Sequence, residues 1–138
     1  MADTFELELV SPEKLLLSQP AEMVVVPGAE GDFGVLPGHA PMIATIRPGA
    51  LTVFEGGAVK QRIFVAGGFA EVASGRCTIL AAGVVPLDDI DRGAAEQEVR
   101  NLKEDVATAE DEAAAARARE ALAVVEARLQ VLDAPPYS

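Results

Sequence analysis

Val84-Val85-Pro86-Leu87-Asp88-Asp89-Ile90-Asp91-Arg92-Gly93-Ala94-Ala95 is the stretch in which the chain changes its period. Before Pro86, apolar residues alternate with polar ones in short runs broken by glycine and proline; after it, they return every three or four positions. Residues 1–86 hold all five phenylalanines and eleven of the twelve glycines, whereas residues 87–138 hold 13 alanines and only Gly93. The boundary between two structural units is therefore expected at 86/87. The expected fold is an all-β N-terminal sandwich of about ten strands, residues 1–86, followed by an antiparallel α-helical hairpin, residues 87–138.

Working upstream, Phe5, Leu7 and Leu9 alternate with Thr4, Glu6 and Glu8. One face of that strand is buried and the other is wet. Further strands are expected at Leu15–Ser18, Glu22–Val26, Phe33–Leu36, Met42–Ile46, Ala50–Phe54, Val59–Val65, Phe69–Val72 and Cys77–Ala81. Turn residues such as Pro37-Gly38, Pro48-Gly49 and Gly56-Gly57 separate them every 8–12 positions, the spacing of a small sandwich or barrel.

Working downstream, Asp88 is the expected N-cap of the first helix, with Asp91 three residues on adding negative charge to its positive end. Ala95, Val99, Leu102, Val106 and Ala109 form one apolar stripe. A Thr108-x-x-Asp111 pattern resembling a capping box then precedes a second stripe of Ala118, Leu122, Val125, Leu129 and Leu132. Pro135-Pro136 is the expected stop. The seam is half alanine, and each buried alanine contributes much less than the ~2 kcal/mol of a buried leucine or valine. Such a hairpin keeps its helices and can detach from what it packs on.

Composition narrows the functional classes. Eleven basic and 22 acidic residues leave a net charge of −11, which repels phosphate backbones and argues against a nucleic-acid partner. The acid excess divides as −4 in residues 1–86 and −7 in residues 87–138. A single cysteine, Cys77, and a single histidine, His39, supply neither a disulfide nor a metal cage. No apolar run approaches the ~20 residues that span a bilayer. Met1-Ala2-Asp3-Thr4-Phe5 has the form of neither a signal nor a transit peptide. No direct membrane insertion is expected.

Catalytic constellations are also wanting: Ser11 and Ser18 lack an activating context, and Asp88, Asp89 and Asp91 read as a helix start rather than a cation loop. Gly28-Ala29-Glu30-Gly31-Asp32-Phe33-Gly34 is glycine-rich but lacks the Lys-Ser/Thr ending of a phosphate loop, and its two acids repel phosphate. A rigid acidic tip flanked by apolar residues suits contact with another protein. An interaction module is the leading class, and a free-standing β-sandwich sensor for a small ligand or nucleotide, with the hairpin as lid, is the alternative.

The runs Val10-Ser11-Pro12-Glu13, Val26-Pro27-Gly28-Ala29-Glu30-Gly31-Asp32-Phe33-Gly34-Val35-Leu36-Pro37-Gly38-His39-Ala40-Pro41, Arg47-Pro48-Gly49 and Gly67-Gly68-Phe69-Ala70-Glu71-Val72 closely resemble the epsilon subunits of bacterial and chloroplast F-type ATP synthases. The resemblance covers residues 4–91 almost continuously. It implies a noncatalytic rotor subunit of the central stalk that binds the gamma subunit and the c-ring and couples proton flow to ATP synthesis. It places the chain peripherally at the cytoplasmic face of a bacterial inner membrane. It assigns Glu30, Gly31, Asp32 and Phe33 to the c-ring contact, with Asp32 as the first choice among the acids, and His39 to gamma or the ring.

In many relatives the hairpin also extends along gamma and brakes hydrolysis at the alpha/beta catalytic head, a contact that falls here on Arg117, Arg119 and Arg128. Those three face six acids between Ala109 and Asp133, which weakens electrostatic insertion. Some relatives bind ATP through Ile/Leu-Asp-x-x-Arg-Ala. Ile90, Asp91 and Arg92 fall on that motif, but Ala94 stands where its arginine belongs, so any nucleotide site is expected to be weak. No cofactor is expected.

Overall fold

A computed structural model describes residues 3–133, and the stop expected at Pro135-Pro136 lies outside them. Ten strands come first: β1 Phe5–Val10, β2 Leu15–Ala21, β3 Met23–Gly28, β4 Gly31–Val35, β5 Met42–Ile46, β6 Gly49–Glu55, β7 Ala58–Val65, β8 Gly68–Ala73, β9 Arg76–Ala81 and β10 Val84–Pro86. A single 3-10 turn, Leu87–Asp89, leads into α1 Arg92–Thr108 and α2 Glu112–Asp133.

The strands connect in the order β10-β7-β6-β3-β5-β8-β9-β1-β2, with β4 on the other side of β3. β3 and β5 share only the Gly28–Ile46 pairing, and there the sheet creases into two five-stranded layers. One layer is β4-β3-β6-β7-β10; the other is β5-β8-β9-β1-β2. β2, the last strand of the second layer, also reaches the first, where its Gln19 Nε2 donates to the Gln61 Oε1 of β7 at 2.7 Å.

Alternation determines what lies between the layers. Phe5, Leu7 and Leu9 from β1 join Val24 and Val26 from β3, Leu51 and Val53 from β6, and Ile79 from β9 in one buried cluster. Cys77 belongs to the same cluster and is fully buried, and desolvation pushes its thiol up to about 11, so it stays protonated and inert near neutral pH. Gly68 opens β8 at φ +141°, and a Cβ there would lie 1.9 Å from the Leu80 carbonyl oxygen. Only glycine lets β8 begin so close to β9.

Both helix starts differ in detail from the expectation. Asp91, not Asp88, caps α1: its side chain accepts from the Ala94 amide at 3.0 Å, while Asp88 lies in the 3-10 turn. Asp111 caps α2 by accepting from the Ala114 amide at 2.7 Å. Thr108 closes α1 instead, its hydroxyl donating back to the Glu104 carbonyl at 2.9 Å. In each case the aspartate nearest the first helical turn can reach an amide three residues ahead, the geometry that an N-cap requires.

The two predicted stripes meet as the hairpin seam, with Ala95 and Val125 buried and their stripe neighbours half-buried. α2 carries a second face unmarked by the seam spacing: Val124, Ala127 and Val131 pack with Ile90 and Ala66 onto Ala50, Phe64 and Leu87. Ala50 and Phe64 are a cross-strand pair of β6 and β7, on the opposite side of that layer from the main core. The hairpin is thus held to the outside of the sandwich by a small separate cluster.

Candidate functional site

Three surfaces stand out, and the first and third hold the residues singled out from sequence, His39 excepted. The first is the β3–β4 turn. Gly28 pairs with Gly31 and leaves Ala29-Glu30 as a two-residue connection. A Cβ on Gly28 would sit 2.6 Å from the Gly31 carbonyl oxygen, so this close approach requires glycine. Glu30 is exposed at the apex, while Phe33 is half-buried against the main core. The Asp32 carboxylate turns toward β5 and β6, where Arg47 Nη2 lies 2.6 Å from Oδ1. A cleft of about 510 Å³ runs between this turn and Met42–Thr45 of β5.

His39 lies elsewhere. β4 carries the chain away from the turn by four residues, roughly 13 Å, before the loop that holds it. There its Nδ1–H donates to the Ala40 carbonyl at 2.7 Å, and its backbone amide donates to Leu36 at 3.1 Å. It lines a void of about 10 Å³ with Ala73, Gly75 and Arg76 of the β8–β9 connection. The structure therefore does not bring His39 together with Glu30–Phe33.

The second surface is the outer face of β5-β8-β9-β1-β2. The registers align Thr45, Phe69, Leu80, Val10 and Leu15 as one row across five strands, with Ile43 in the next row. Ile43 is 73% exposed, Phe69 54%, Leu15 54% and Leu80 46%. Beside them runs a polar band in which Glu8 accepts from Thr78 at 3.3 Å and lies 3.5 Å from Arg76, while Glu6 accepts from Ser18. Contiguous apolar rows with a satisfied polar flank are the make-up of a protein-docking face. Sequence reading missed it, since an apolar residue in a strand is assigned inward unless the register shows that both faces carry them.

The third surface is the hairpin and its seat. The Arg128 guanidinium stands 5.7 Å from the Phe64 ring centroid and 3.7 Å from Glu98 of α1. Its Nε is buried and has no hydrogen-bond partner among the described residues, which opposes docking by about 1–3 kcal/mol. Arg119 pairs with Glu112, and Arg117 lines an open cleft at the helix–helix turn with Asp105 and Glu110. The residues on the nucleotide motif are all engaged within the chain, where Ile90 packs under α2, Asp91 caps α1, and Arg92 pairs with Asp133 at 2.7 Å. Among the described residues no cluster of three metal-ligating side chains occurs, and no helix is long and apolar enough to cross a membrane.

These features have counterparts. Residues 4–87 match the family described as ATP synthase, Delta/Epsilon chain, beta-sandwich domain. The ATP synthase epsilon chain of Rhodospirillum centenum is 52% identical over 139 aligned positions, covering 96% of this chain and 94% of that one. The epsilon chain of Rhodospirillum rubrum is 50% identical over 129, covering 94% and 96%. Among solved structures, a chain of the Euglena gracilis mitochondrial ATP synthase, determined as an OSCP/F1/c-ring assembly, superposes with a TM-score of 0.80 at 28% identity, over 94% of this chain and 81% of that one. A sandwich creased at one pairing, a glycine-bounded acidic turn and a docked alanine-rich hairpin therefore occur in a chain that belongs to the ATP synthase epsilon chain family.

Proposed function

We propose that this chain is the noncatalytic central-stalk rotor subunit of an F-type ATP synthase, held between the gamma subunit and the c-ring at the cytoplasmic face of a bacterial inner membrane. The observation that carries the reading is the apolar row Phe69, Leu80, Val10 and Leu15 with Ile43 beside it. A rotor part must turn with its shaft, and burying such a row against gamma supplies the non-directional adhesion that this needs. The β3–β4 turn then supplies the ring contact through Glu30, Gly31, Asp32 and Phe33. A net acidic tip favours basic ring loops and gives orientation more than affinity. The Euglena neighbour, an F1/c-ring assembly, supports this placement.

The hairpin is the regulatory element of this reading. In its docked form Arg128 and Arg119 are engaged within the chain, so contact with the alpha/beta head requires α2 to leave Phe64. The test of the docking face is Phe69→Glu, which places a charge on an already exposed site and spares the core. The variant is expected to retain its melting temperature and to lose at least tenfold in affinity for purified gamma. Undiminished gamma binding would move the docking face elsewhere.

A further inference from the structure

The ring-facing turn is braced from outside its own hairpin. Arg47 lies just beyond β5, 15 residues from Asp32 and 19 from Gly28, yet its side chain reaches both. Nη1 donates to the Gly28 carbonyl at 2.5 Å and Nη2 to Asp32 Oδ1 at 2.6 Å. Its backbone amide donates to the Pro27 carbonyl at 2.9 Å, and the Ala29 amide donates to Thr45 at 2.8 Å. A planar guanidinium presents two parallel donors in a fixed fork, which suits one carbonyl on the strand and one carboxylate across the turn. A lysine ammonium at the same place lacks that planar pair of donors.

We propose that Arg47 is the positioning residue of the ring contact: it holds the Gly28–Asp32 turn in the shape that meets the c-ring, and it neutralises Asp32 so that Glu30 presents the charge. The proposal rests on the reading of that turn as the ring-facing surface. Two observations separate the roles of the acids. Asp32 keeps 29% of its side-chain surface and pairs with Arg47, whereas Glu30 is exposed at the apex. With the fork in place the turn arrives ordered, and the entropy of ordering it has already been lost on folding rather than at the encounter. Removing the fork returns that cost to the contact.

Full-length variants, assembled into the synthase in membrane vesicles, test this with two measurements: amide hydrogen exchange at Ala29 and Glu30, and ATP-driven proton pumping normalised to ATP hydrolysis. Arg47→Ala is expected to speed exchange at the turn at least tenfold, with β1 and β9 amides unchanged, and to lower pumping per ATP several-fold. Arg47→Lys should fall between it and the parent protein, and serves as the readable variant should Arg47→Ala fold poorly. The pair Arg47→Ala/Asp32→Ala should pump no worse than Arg47→Ala alone, since the two side chains act as one unit. Unchanged exchange at Ala29, or faster exchange with normal pumping, would overturn the positioning role. Glu30→Lys keeps the two readings apart: normal pumping in that variant removes the ring contact itself, whereas a defect there beside a normal Arg47→Ala removes only the role of the arginine.

Discussion

Replacing Phe64 by alanine should release the hairpin and leave the sandwich intact. The ring is 1% exposed, lies outside the main core, and is the largest of the three buried side chains in the cluster beneath α2. Truncating a buried phenylalanine costs about 3–5 kcal/mol, and the lost Arg128–ring contact adds about 1 kcal/mol. Against this, the half-buried Val124, Ala127, Val131 and Ile90 contribute about 1 kcal/mol each at most, and the buried Arg128 Nε, without a partner among the described residues, subtracts from that sum. Even a loss of about 3 kcal/mol moves the docked-to-released ratio by roughly a hundredfold, so the released form becomes dominant. Methyl NMR through a urea titration reads the two regions separately, with Val131 reporting the seat and Leu7 the main core. In Phe64→Ala the Val131 signal should take its released position in water or at low urea, while the Leu7 midpoint stays near that of the parent protein. If both midpoints fall together by the same amount, the two clusters are one cooperative unit and the reasoning is refuted.

Two further outcomes are expected. Asp91→Ala should lower thermal stability of the hairpin by about 1 kcal/mol through loss of the α1 cap, while Asp88→Ala should change it by less than half as much, as followed by helical circular dichroism. Cys77 gives an alkaline signature. Its folded thiol titrates at about 11 against an ordinary 9.0, so the stability tied to the neutral thiol is complete below pH 9 and is lost as the pH rises toward 11. Two units correspond to about 3 kcal/mol. Urea midpoints between pH 8.5 and 11 should therefore fall more steeply for the parent protein than for Cys77→Ala, and parallel slopes would contradict this account.

How much of this was legible in the residues depended on whether the signal was local. The alternation of β1 and the two seam stripes were readable position by position, because a period of 2 or 3.6 is written in consecutive residues. The second face of α2 was not, since Val124, Ala127, Arg128 and Val131 mix a charge with a small side chain, and the arginine is apolar only in the company of Phe64. β10 was missed because three residues are too few to show a period. The apolar row depends on cross-strand register between β5, β8, β9 and β1, which no single strand reveals. The acidic turn was legible as a turn, but the arginine that braces it sits 15 residues away, beyond the range of any turn signature. The α1 cap was misplaced by three residues because a run of aspartates offers several caps, and the intervening 3-10 turn selects among them.

The parallel pairing of β1 with β9 also bears on how the chain is made. Glu6 pairs with Arg76 and Val10 with Leu80, so the first strand to leave the ribosome finds one of its two neighbours only 70 residues later. At ~5–20 residues per second that interval lasts roughly 4–14 s, during which the edge of β1 that will pair with β9 stays open and only β2 lies along the other edge. An open strand edge is a template for pairing with another chain, so a chain stopped before β9 is expected to aggregate where the finished one does not.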